Sequence, residues 1–245
     1  VGSVASGPVS FMRIWDSMCG TILSTGARRG AMMATLRCAH PDIGFFIDAK
    51  REIGVLKNFN LSVLVSDAFM HAIDRDEDWP LVFPYHTYLS DYNEEFIMRE
   101  WPGCDGPVRC KVFHHVSARA LWQKILRANY DYAEPGVLFI DRVQRANNLH
   151  YCERISATNP CGEIPLPPYG ACDLGSINLT QFVREPFTAA ANMDLDAIAD
   201  TAAIAVRMLD NVYELSRYPL PQQAETARAT RRIGLGITGL ADALI

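Results

Sequence analysis

The fold class of the chain is indicated by the stretch Phe59-Asn60-Leu61-Ser62-Val63-Leu64-Val65, which is followed directly by Ser66-Asp67. An apolar run of this length that is rich in branched side chains predicts a buried strand. The pair Ser66-Asp67 is typical of a helix N-terminus, so we predict a helix over 67–75. A strand, a cap and a helix in immediate succession favour an α/β fold.

The alternation of helices and strands continues on both sides of this stretch. Apolar residues at helical spacing predict helices over 10–24, 118–130 and 194–216, the first two capped by Ser10 and Ser117. Pro135-Gly136 predicts a turn into a buried strand over 137–140. The other segments are predicted to be an irregular excursion over 76–110 with a short helix near 93–99, a long polar loop before 158–168, and a short strand with a turn over 171–183.

Two of these helices carry apolar stripes that predict which side chains are buried. In the first helix the stripe fits either core packing or an interface between subunits, and in the last helix it predicts the inner face. The stripes are Phe11, Ile14, Trp15, Met18, Cys19, Ile22 and Leu23 in the first helix, and Leu195, Ile198, Ala202, Ala205, Val206, Leu209 and Val212 in the last.

The composition limits the class of protein. The 245 residues are 49% hydrophobic and 21% charged, which is typical of a globular protein with a sizeable core. The net charge of −5 argues against a non-specific nucleic-acid binder, which needs a basic surface. We find neither a signal peptide nor a run of roughly 18 apolar residues that could span a membrane. Because the chain starts at Val1 and stops at Ile245 in mid-pattern, we expect both ends to be cut from a longer protein.

The cysteine content favours a cytoplasmic protein with reduced thiols. The number of cysteines is seven, which is odd, and no two of them form a C-x-x-C pair. A secreted disulfide framework and a cysteine-rich zinc module are both disfavoured by this pattern, and we predict no metal site. Most of the cysteines are predicted to be small apolar core residues, namely Cys19, Cys38, Cys104, Cys110 and Cys152.

The most unusual segment is Asn159-Pro160-Cys161-Gly162-Glu163, which Ile164 and Pro165 follow. If its backbone is extended, an amide, a thiol and a carboxylate point to the same side. The thiol could be a nucleophile, but the closest upstream histidine is His150, and a nearby carboxylate raises a thiol's pKa. Hydrogen-atom chemistry needs no thiolate and fits this acidic neighbourhood better. There are two other interpretations. One is a metal site, although two ligands are too few for a strong claim, and the other is a structural loop with a buried cysteine.

Two glycine-containing segments are candidate nucleotide contacts. In the loop Gly26-Ala27-Arg28-Arg29-Gly30, the glycines allow the backbone to approach a ligand closely, and the arginine side chains suit phosphates or base edges. The alternative is a solvated turn between two elements. The segment Gly234-Leu235-Gly236-Ile237-Thr238-Gly239 fits the dinucleotide-binding pattern G-x-G-x-x-G. However, Ala229–Arg232 before it is not a clear buried strand, and the sequence ends before the position about 20 residues later where an acidic residue is expected. We interpret these glycines as close-packing positions.

Several motifs in one order resemble the large subunits of ribonucleotide reductases. The segment Asn159–Ile164 is similar to the finger-loop motif of that family, and Cys172 within Gly170–Leu179 is similar to its second-half redox cysteine. The further matching segments are Ser6–Met12, Gly26–Met33, Asn58–Val63 and Arg232–Leu240. The resemblance spans the whole chain and implies part of a ten-stranded α/β barrel, truncated at both ends, with a central finger loop.

The resemblance also implies a set of residue roles. Cys161 would carry a thiyl radical that takes hydrogen from the ribose 3′ carbon, and Glu163 would accept the proton of the 3′-hydroxyl. Asn159, with Pro160 and Gly162 beside it, would bind the ribonucleotide substrate. Cys172 and an upstream partner cysteine outside this sequence would supply two electrons as they form a disulfide.

The remaining implications concern partners and regulation. Residues 26–30 would be the specificity loop that links a deoxynucleotide effector to the substrate. Residues 10–24 would form part of a homodimer interface. A thioredoxin or glutaredoxin-type protein would restore the thiols, in the family through a cysteine pair near the C-terminus, and neither nucleic acid nor membrane would be bound.

The subclass that the chain resembles most is the adenosylcobalamin-dependent one, class II. The residues that carry this likeness are Arg28–Met32, His40–Ile43 and the short spacing between Cys161 and Cys172. Its relatives reduce ribonucleoside diphosphates more commonly than triphosphates, for DNA synthesis and repair. The alternatives are a class I large subunit, whose radical comes from a metal-containing partner subunit, and a nucleotide-binding regulatory module without catalysis.

Overall fold

The computed structural model of the chain describes residues 6–22, 30–85, 94–101, 103–104 and 106–245. The chain divides into two compact units, Val1–Pro167 and Pro168–Ile245. The helices are α1 (Pro8–Thr21), α2 (Ile43–Asp48), α3 (Asp67–Asp74), α4 (Ala118–Tyr132) and α5 (Ile140–Ala146) in the first unit, and α6 (Leu195–Leu215), α7 (Pro221–Thr230) and α8 (Leu240–Leu244) in the second.

The strands fall into the same two units. Those of the first unit are β1 (Met32–Arg37), β2 (Phe59–Val65), β3 (Asp78–Pro84), β4 (Phe96–Glu100), β5 (Pro107–Ser117), β6 (Gly136–Phe139), β7 (Ala157–Thr158) and β8 (Pro165–Leu166). Those of the second unit are β9 (Asp173–Asn178), β10 (Val183–Arg184), β11 (Asn192–Met193) and β12 (Ile233–Thr238), and a short 3₁₀ helix spans Leu179–Phe182.

A parallel sheet in the order β1-β2-β6 forms the centre of the first unit. Its middle strand, β2, is buried at every position except Asn60, and Val63 and Val65 have no exposed surface. A strand that is covered on both faces must be apolar along its whole length, which explains the continuous run in the sequence. The predicted strand over 59–65 is confirmed, and β6 lies within one residue of its predicted range.

Two helices of this unit begin at the predicted caps. The Ser66 side chain accepts a hydrogen bond from the Phe69 backbone N–H at the start of α3. The Ser117 side chain accepts one from the Ala120 N–H at the start of α4. Each cap satisfies a backbone donor that the first turn leaves unpaired, so the sequence signal has a direct physical cause. These helices bury Phe69 and other apolar residues in the core.

The segment 76–110 is not irregular in its described part, and the helix near 93–99 is wrong. Strands β3, β5 and β4 form an antiparallel sheet in that order, with Phe96 paired to Lys111. The prolines are compatible with strands because β3 is an edge strand and Pro107 is the first residue of β5. Helix α5 was also missed, in a segment predicted as a polar loop.

The first helix departs from its prediction in its start and in its exposure. It begins at Pro8, which supplies the fixed φ that suits a first helical position, and not at the predicted cap Ser10. Met12 is its buried residue, whereas five residues of the apolar stripe are at least half exposed. That face therefore does not pack into the core formed by the described residues. The five residues are Phe11, Ile14, Trp15, Met18 and Ile22.

The cysteines predicted to lie in the core behave differently from one another. Cys38 and Cys110 are buried, as predicted. Cys19 is half-buried, and Cys104 and Cys152 are exposed, so the core interpretation is wrong for the last two. Burial raises the pKa of the Cys38 thiol to about 11, which keeps it protonated and inert at neutral pH.

In the second unit, α6 packs on a parallel pair of strands formed by β9 and β12. Its buried residues are Leu209 and Tyr213. Of the predicted inner face, Leu209 is buried and Ile198, Ala202 and Ala205 are half-buried, whereas Leu195, Val206 and Val212 are exposed. The predicted stripe is therefore correct along its middle, apart from Val206, and wrong at its two ends.

The G-x-G-x-x-G segment lies on β12 and not in a phosphate-binding loop. Gly234 and Gly236 are inside the strand, and a Cβ at Gly234 would lie 2.6 Å from Leu174 Cδ2 of β9. Gly239 has φ +67°, and a Cβ there would lie 2.8 Å from Asn178 Oδ1. Close packing and backbone conformation account for these glycines, as the sequence predicts.

The described residues contain mixed helices and strands, in agreement with the predicted α/β class. Their sheets have two or three strands each, and within these ranges no sheet closes into a barrel. None of the helices in the described ranges is long and apolar enough to cross a membrane.

Candidate active site

The segment that carries Cys161 is the turn of a small hairpin. Strands β7 and β8 pair antiparallel, with Thr158 opposite Pro165. The Gly162 N–H donates to the Asn159 carbonyl at 3.0 Å, which closes a β-turn with Pro160 and Cys161 at its centre. Proline favours the second position of such a turn because its φ is already fixed. Gly162 follows with φ +86°, a left-handed conformation that suits glycine.

This turn changes the expected geometry of the site. The alternation that would place Asn159, Cys161 and Glu163 on one side requires extended backbone, and the backbone here is folded back. The Asn159 N–H donates to the Ile164 carbonyl, and Asn159 Oδ1 accepts from the Ile164 N–H at 3.0 Å. The Asn159 side chain therefore closes the loop from inside, a role that the sequence analysis did not anticipate.

The turn presents its reactive groups at the surface of the first unit. Cys161 and Glu163 are exposed, and Asn159 and Pro160 are half-buried. A Cβ added at Gly162 would meet no atom within 4 Å, so the tip borders open space. An exposed thiol on a rigid turn is accessible to a substrate or cofactor, which a buried structural cysteine is not.

One further residue positions the turn and was missed by the sequence analysis. Asn60 Nδ2 donates to the Pro160 carbonyl at 2.6 Å and so ties the tip to β2. Thr158, at the base of the hairpin, is 8% exposed. The available signal was that Asn60 is a polar residue inside the largely apolar run 59–65.

Cys172 lies in the second unit, directly before β9. It is half-buried, and its thiol contacts the Asp173 carbonyl at 3.5 Å. The Asp173 N–H donates to the Arg232 carbonyl, which joins the start of β9 to the start of β12. Cys172 is thus held at the amino end of a strand pair and not on a mobile loop.

The predicted specificity loop is described only at its end. Gly26, Ala27, Arg28 and Arg29 lie outside the described residues. At Gly30, a Cβ would lie 2.6 Å from the sulfur of Cys19 on α1, so the backbone passes close to that helix. Within the described ranges, no group of three or more His, Cys, Asp or Glu side chains could hold a metal ion.

Comparisons with known proteins agree with the resemblance in the sequence. The family described as the ribonucleotide reductase barrel domain matches residues 1–245. The chain is 43% identical, over 244 residues, to the vitamin B12-dependent ribonucleoside-diphosphate reductase of Mycobacterium tuberculosis, covering 99% of the chain and 31% of that protein. It is 39% identical to the reductase of the same name in Thermoplasma acidophilum, covering 99% of the chain and 28% of the relative.

A relative with a different name is more distant. The ribonucleoside-diphosphate reductase subunit alpha of Chlamydia pneumoniae is 26% identical over 254 residues, covering 98% of the chain and 24% of the relative. The chain spans 31% and 28% of the lengths of the M. tuberculosis and T. acidophilum relatives. Because the family match extends over the whole sequence, the chain belongs to the ribonucleotide reductase family, within its barrel domain.

Proposed function

We propose that the full-length protein reduces ribonucleoside diphosphates to 2′-deoxyribonucleotides by thiyl-radical chemistry that depends on adenosylcobalamin. The observation that carries this proposal is the exposed Cys161 thiol at the tip of a hairpin that is closed by Asn159 and tied to β2 by Asn60. Hydrogen-atom transfer demands that the thiol be held close to one carbon of the substrate, and a fixed turn meets that demand. The proposal includes the family's ten-stranded barrel, with this hairpin as its finger loop.

In the proposed reaction each residue has a separate task. Cys161, as a thiyl radical, takes the hydrogen atom from the ribose 3′ carbon and later returns it. Glu163 accepts the proton of the 3′-hydroxyl, and the 2′-hydroxyl leaves as water. Cys172 and its partner thiol supply two electrons and two protons and become a disulfide. A thioredoxin or glutaredoxin-type reductant restores both thiols for the next turnover.

The Asn159 side chain can serve two purposes in this scheme. Its Oδ1 accepts from the Ile164 N–H and so shapes the turn. Its Nδ2 group carries two N–H donors that suit a hydroxyl oxygen of the ribose. One side chain would therefore couple the position of the substrate to the position of the thiol.

The preference for adenosylcobalamin rests on the relatives and on the exposed thiol. Proteins 39–43% identical to the chain are named vitamin B12-dependent, whereas the relative named ribonucleoside-diphosphate reductase subunit alpha is 26% identical. The Cys161 thiol is exposed, and a Cβ built at Gly162 beside it would meet no atom within 4 Å. When bound, adenosylcobalamin would supply radical chemistry, and Cys161 would be the residue that receives the radical.

Regulation and assembly complete the proposal. Gly26–Gly30 is proposed as the specificity loop for a deoxynucleotide effector. The exposed apolar face of α1 is proposed as part of a homodimer interface, since faces of this kind mark protein contacts. We also propose a cytoplasmic location, because the reaction consumes thiol reducing equivalents, which that compartment maintains.

The test is a reduction assay on the full-length protein with cytidine diphosphate, adenosylcobalamin and dithiothreitol. We expect Cys161→Ser to abolish formation of deoxycytidine diphosphate. Cys152→Ser is the matched control, because Cys152 is also exposed but lies outside the hairpin, and it should retain wild-type activity. Substantial turnover by Cys161→Ser would overturn the assignment.

Two outcomes of the same assay favour the alternatives. Activity without cobalamin, in the presence of a metal-containing partner subunit, would favour a class I large subunit. Nucleotide binding without any turnover would favour a regulatory module. The second alternative has no specific observation in its support, and the exposed thiol at the turn argues for catalysis.

A further inference from the structure

Tyr213 is a buried tyrosine whose hydroxyl holds two backbone carbonyls. It lies on α6 and is 1% exposed. The hydroxyl lies within hydrogen-bond distance of two backbone carbonyls, that of Ala171 at 3.1 Å and that of Arg232, and shares its single proton between them. An apolar residue would fill the same core position without the cost of burying a hydroxyl. The hydroxyl therefore calls for an explanation beyond packing.

The two carbonyls lie where the strand pair of the second unit begins. The register of β9 and β12 starts with Asp173 opposite Ile233, and Ala171 and Arg232 come just before these positions. The Asp173 N–H in turn donates to the Arg232 carbonyl at 3.2 Å. Cys172 is thus fixed on both sides, through the carbonyl of the residue before it and the N–H of the residue after it.

Tyr213 is itself held in place by a charged neighbour. The guanidinium of Arg231 lies 5.8 Å from the centre of the Tyr213 ring. Arg231 Nε donates to Asp210 Oδ1 at 2.7 Å, and Arg231 Nη1 donates to Glu214 Oε1 at 2.6 Å. Both acidic residues lie on α6, so the arginine braces the helix turn that carries the tyrosine.

The surroundings also keep the Tyr213 hydroxyl protonated. Burial, together with the nearby Cys172 thiol and Asp173 carboxylate, raises the pKa of Tyr213 to about 12. A protonated hydroxyl is the form that can donate to a carbonyl. The contact with Ala171 therefore persists over the pH range in which thiols are oxidised and reduced.

We propose that Tyr213 is a positioning residue for Cys172, which fixes the backbone of that cysteine so that its thiol meets the partner thiol. The inference rests on the proposed role of Cys172 in the reduction. A disulfide forms only when the two Cα atoms lie about 4.4–6.8 Å apart. The two thiols lose two protons and two electrons as the S–S bond forms, and the ribose 2′ carbon is reduced as its hydroxyl leaves as water. A fixed Cys172 makes this step more favourable because less freedom is lost when the bond closes.

The experiment compares Tyr213→Phe with the wild-type full-length protein. The protein is equilibrated in buffers with graded ratios of reduced to oxidised dithiothreitol. The fraction of Cys172 in a disulfide is then measured by alkylation and mass spectrometry. We expect the equilibrium constant for disulfide formation to fall about tenfold, which corresponds to about 30 mV for a two-electron couple. We expect kcat to fall with it while the KM for the nucleotide stays within twofold, since Tyr213 acts through Cys172.

Two further variants separate positioning from loss of stability. Ile177→Val removes a methyl group from a buried side chain on the same strand, β9, and should leave the equilibrium constant unchanged. Arg231→Gln leaves the Tyr213 hydroxyl in place but removes its brace, and it should shift the equilibrium in the same direction by a smaller factor. If Tyr213→Phe does not fold, the equilibrium constant for disulfide formation in Arg231→Gln tests the inference in its place.

Three results would overturn the inference. These are an equilibrium constant in Tyr213→Phe within twofold of wild type, a change in the opposite direction, and an equal change in Ile177→Val. Cys172→Ser distinguishes this failure from failure of the proposed function. If Cys172→Ser still turns over repeatedly with the reductant, the redox role of Cys172 is wrong and the positioning role is overturned with it. If Cys172→Ser is inactive and Tyr213→Phe behaves as wild type, only the positioning role is lost.

Discussion

The tie between Asn60 and the Cys161 turn provides the sharpest test of how this hairpin works. Asn60→Ala removes the bond from Asn60 Nδ2 to the Pro160 carbonyl. The bonds inside the hairpin, between Asn159 and Gly162 and between Asn159 and Ile164, do not depend on Asn60. The variant should therefore keep the turn intact but release it from β2.

The size of the effect follows from the nature of this bond. It joins a neutral amide to a backbone carbonyl on an exposed side chain, and such bonds contribute about 0.5–1.5 kcal/mol net. A change of one or two kcal/mol alters a population ratio roughly 5–30-fold. We expect the free energy of unfolding to fall by about 1 kcal/mol and kcat to fall about fivefold or more, because the thiol is correctly placed for less of the time.

The assay measures kcat at saturating nucleotide together with urea unfolding of the same full-length preparation. Asn192→Ala is the matched control, since Asn192 Nδ2 also donates to a backbone carbonyl, that of Ala190, at 3.0 Å. The control should show a similar small loss of stability with unchanged kcat. A kcat in Asn60→Ala within 1.5-fold of wild type, or equal to that of the control, would refute the reasoning.

Three other predictions test single features of the structure. Asn159→Asp keeps an acceptor for the Ile164 N–H, so its free energy of unfolding should stay within about 0.5 kcal/mol of wild type, whereas that of Asn159→Ala should fall by about 1 kcal/mol. Both variants should lower kcat/KM. Equal free energies of unfolding for the two variants in urea would contradict this. Because the pKa of Tyr213 is raised to about 12 and an unfolded tyrosine titrates near 10, the free energy of unfolding should fall between these pH values by at most about 1.4 kcal/mol per unit. Tyr213→Phe should flatten that slope in urea titrations, and an unchanged slope would count against the assignment. Gly239→Ala forces a Cβ onto a backbone with φ +67° and within 2.8 Å of Asn178 Oδ1, so calorimetry should show a loss of about 1–3 kcal/mol, and an unaltered Tm would contradict it.

The parts of the fold that could be predicted are those with local signals. The strand 59–65 and the helix after Ser66 were correct because the apolar run and the capping serine act within a few residues of one another. The sheet of β3, β5 and β4 was missed in part because β3 pairs with a distant strand, Asp78 lying opposite Ser117. The pair β4 and β5 is closer in the sequence, with Glu100 opposite Pro107, but it has no continuous apolar run to mark it. The segment that forms this sheet also contains several prolines, which are rare within sheets but acceptable at edge positions.

The candidate site divides in the same way. The motif around Cys161 identified the residue types, but the position of Asn159 depends on a bond to Ile164 that closes only when the chain turns. The contribution of Asn60 depends on an approach between residues that are 100 positions apart, which no local pattern reports. The exposed face of α1 could not be separated from a core face, because both produce the same apolar periodicity.

The hairpin turn has a consequence for spectroscopy of this protein. Its shape is determined by backbone bonds and by Asn159, Pro160 and Gly162, and none of those bonds uses the side chain at position 161. A nitroxide or fluorophore attached to the exposed Cys161 thiol would therefore report on the turn without deforming it. Distances measured from such a probe would report where the tip lies relative to labelled positions elsewhere in the full-length protein, whose native chemistry the label itself would silence.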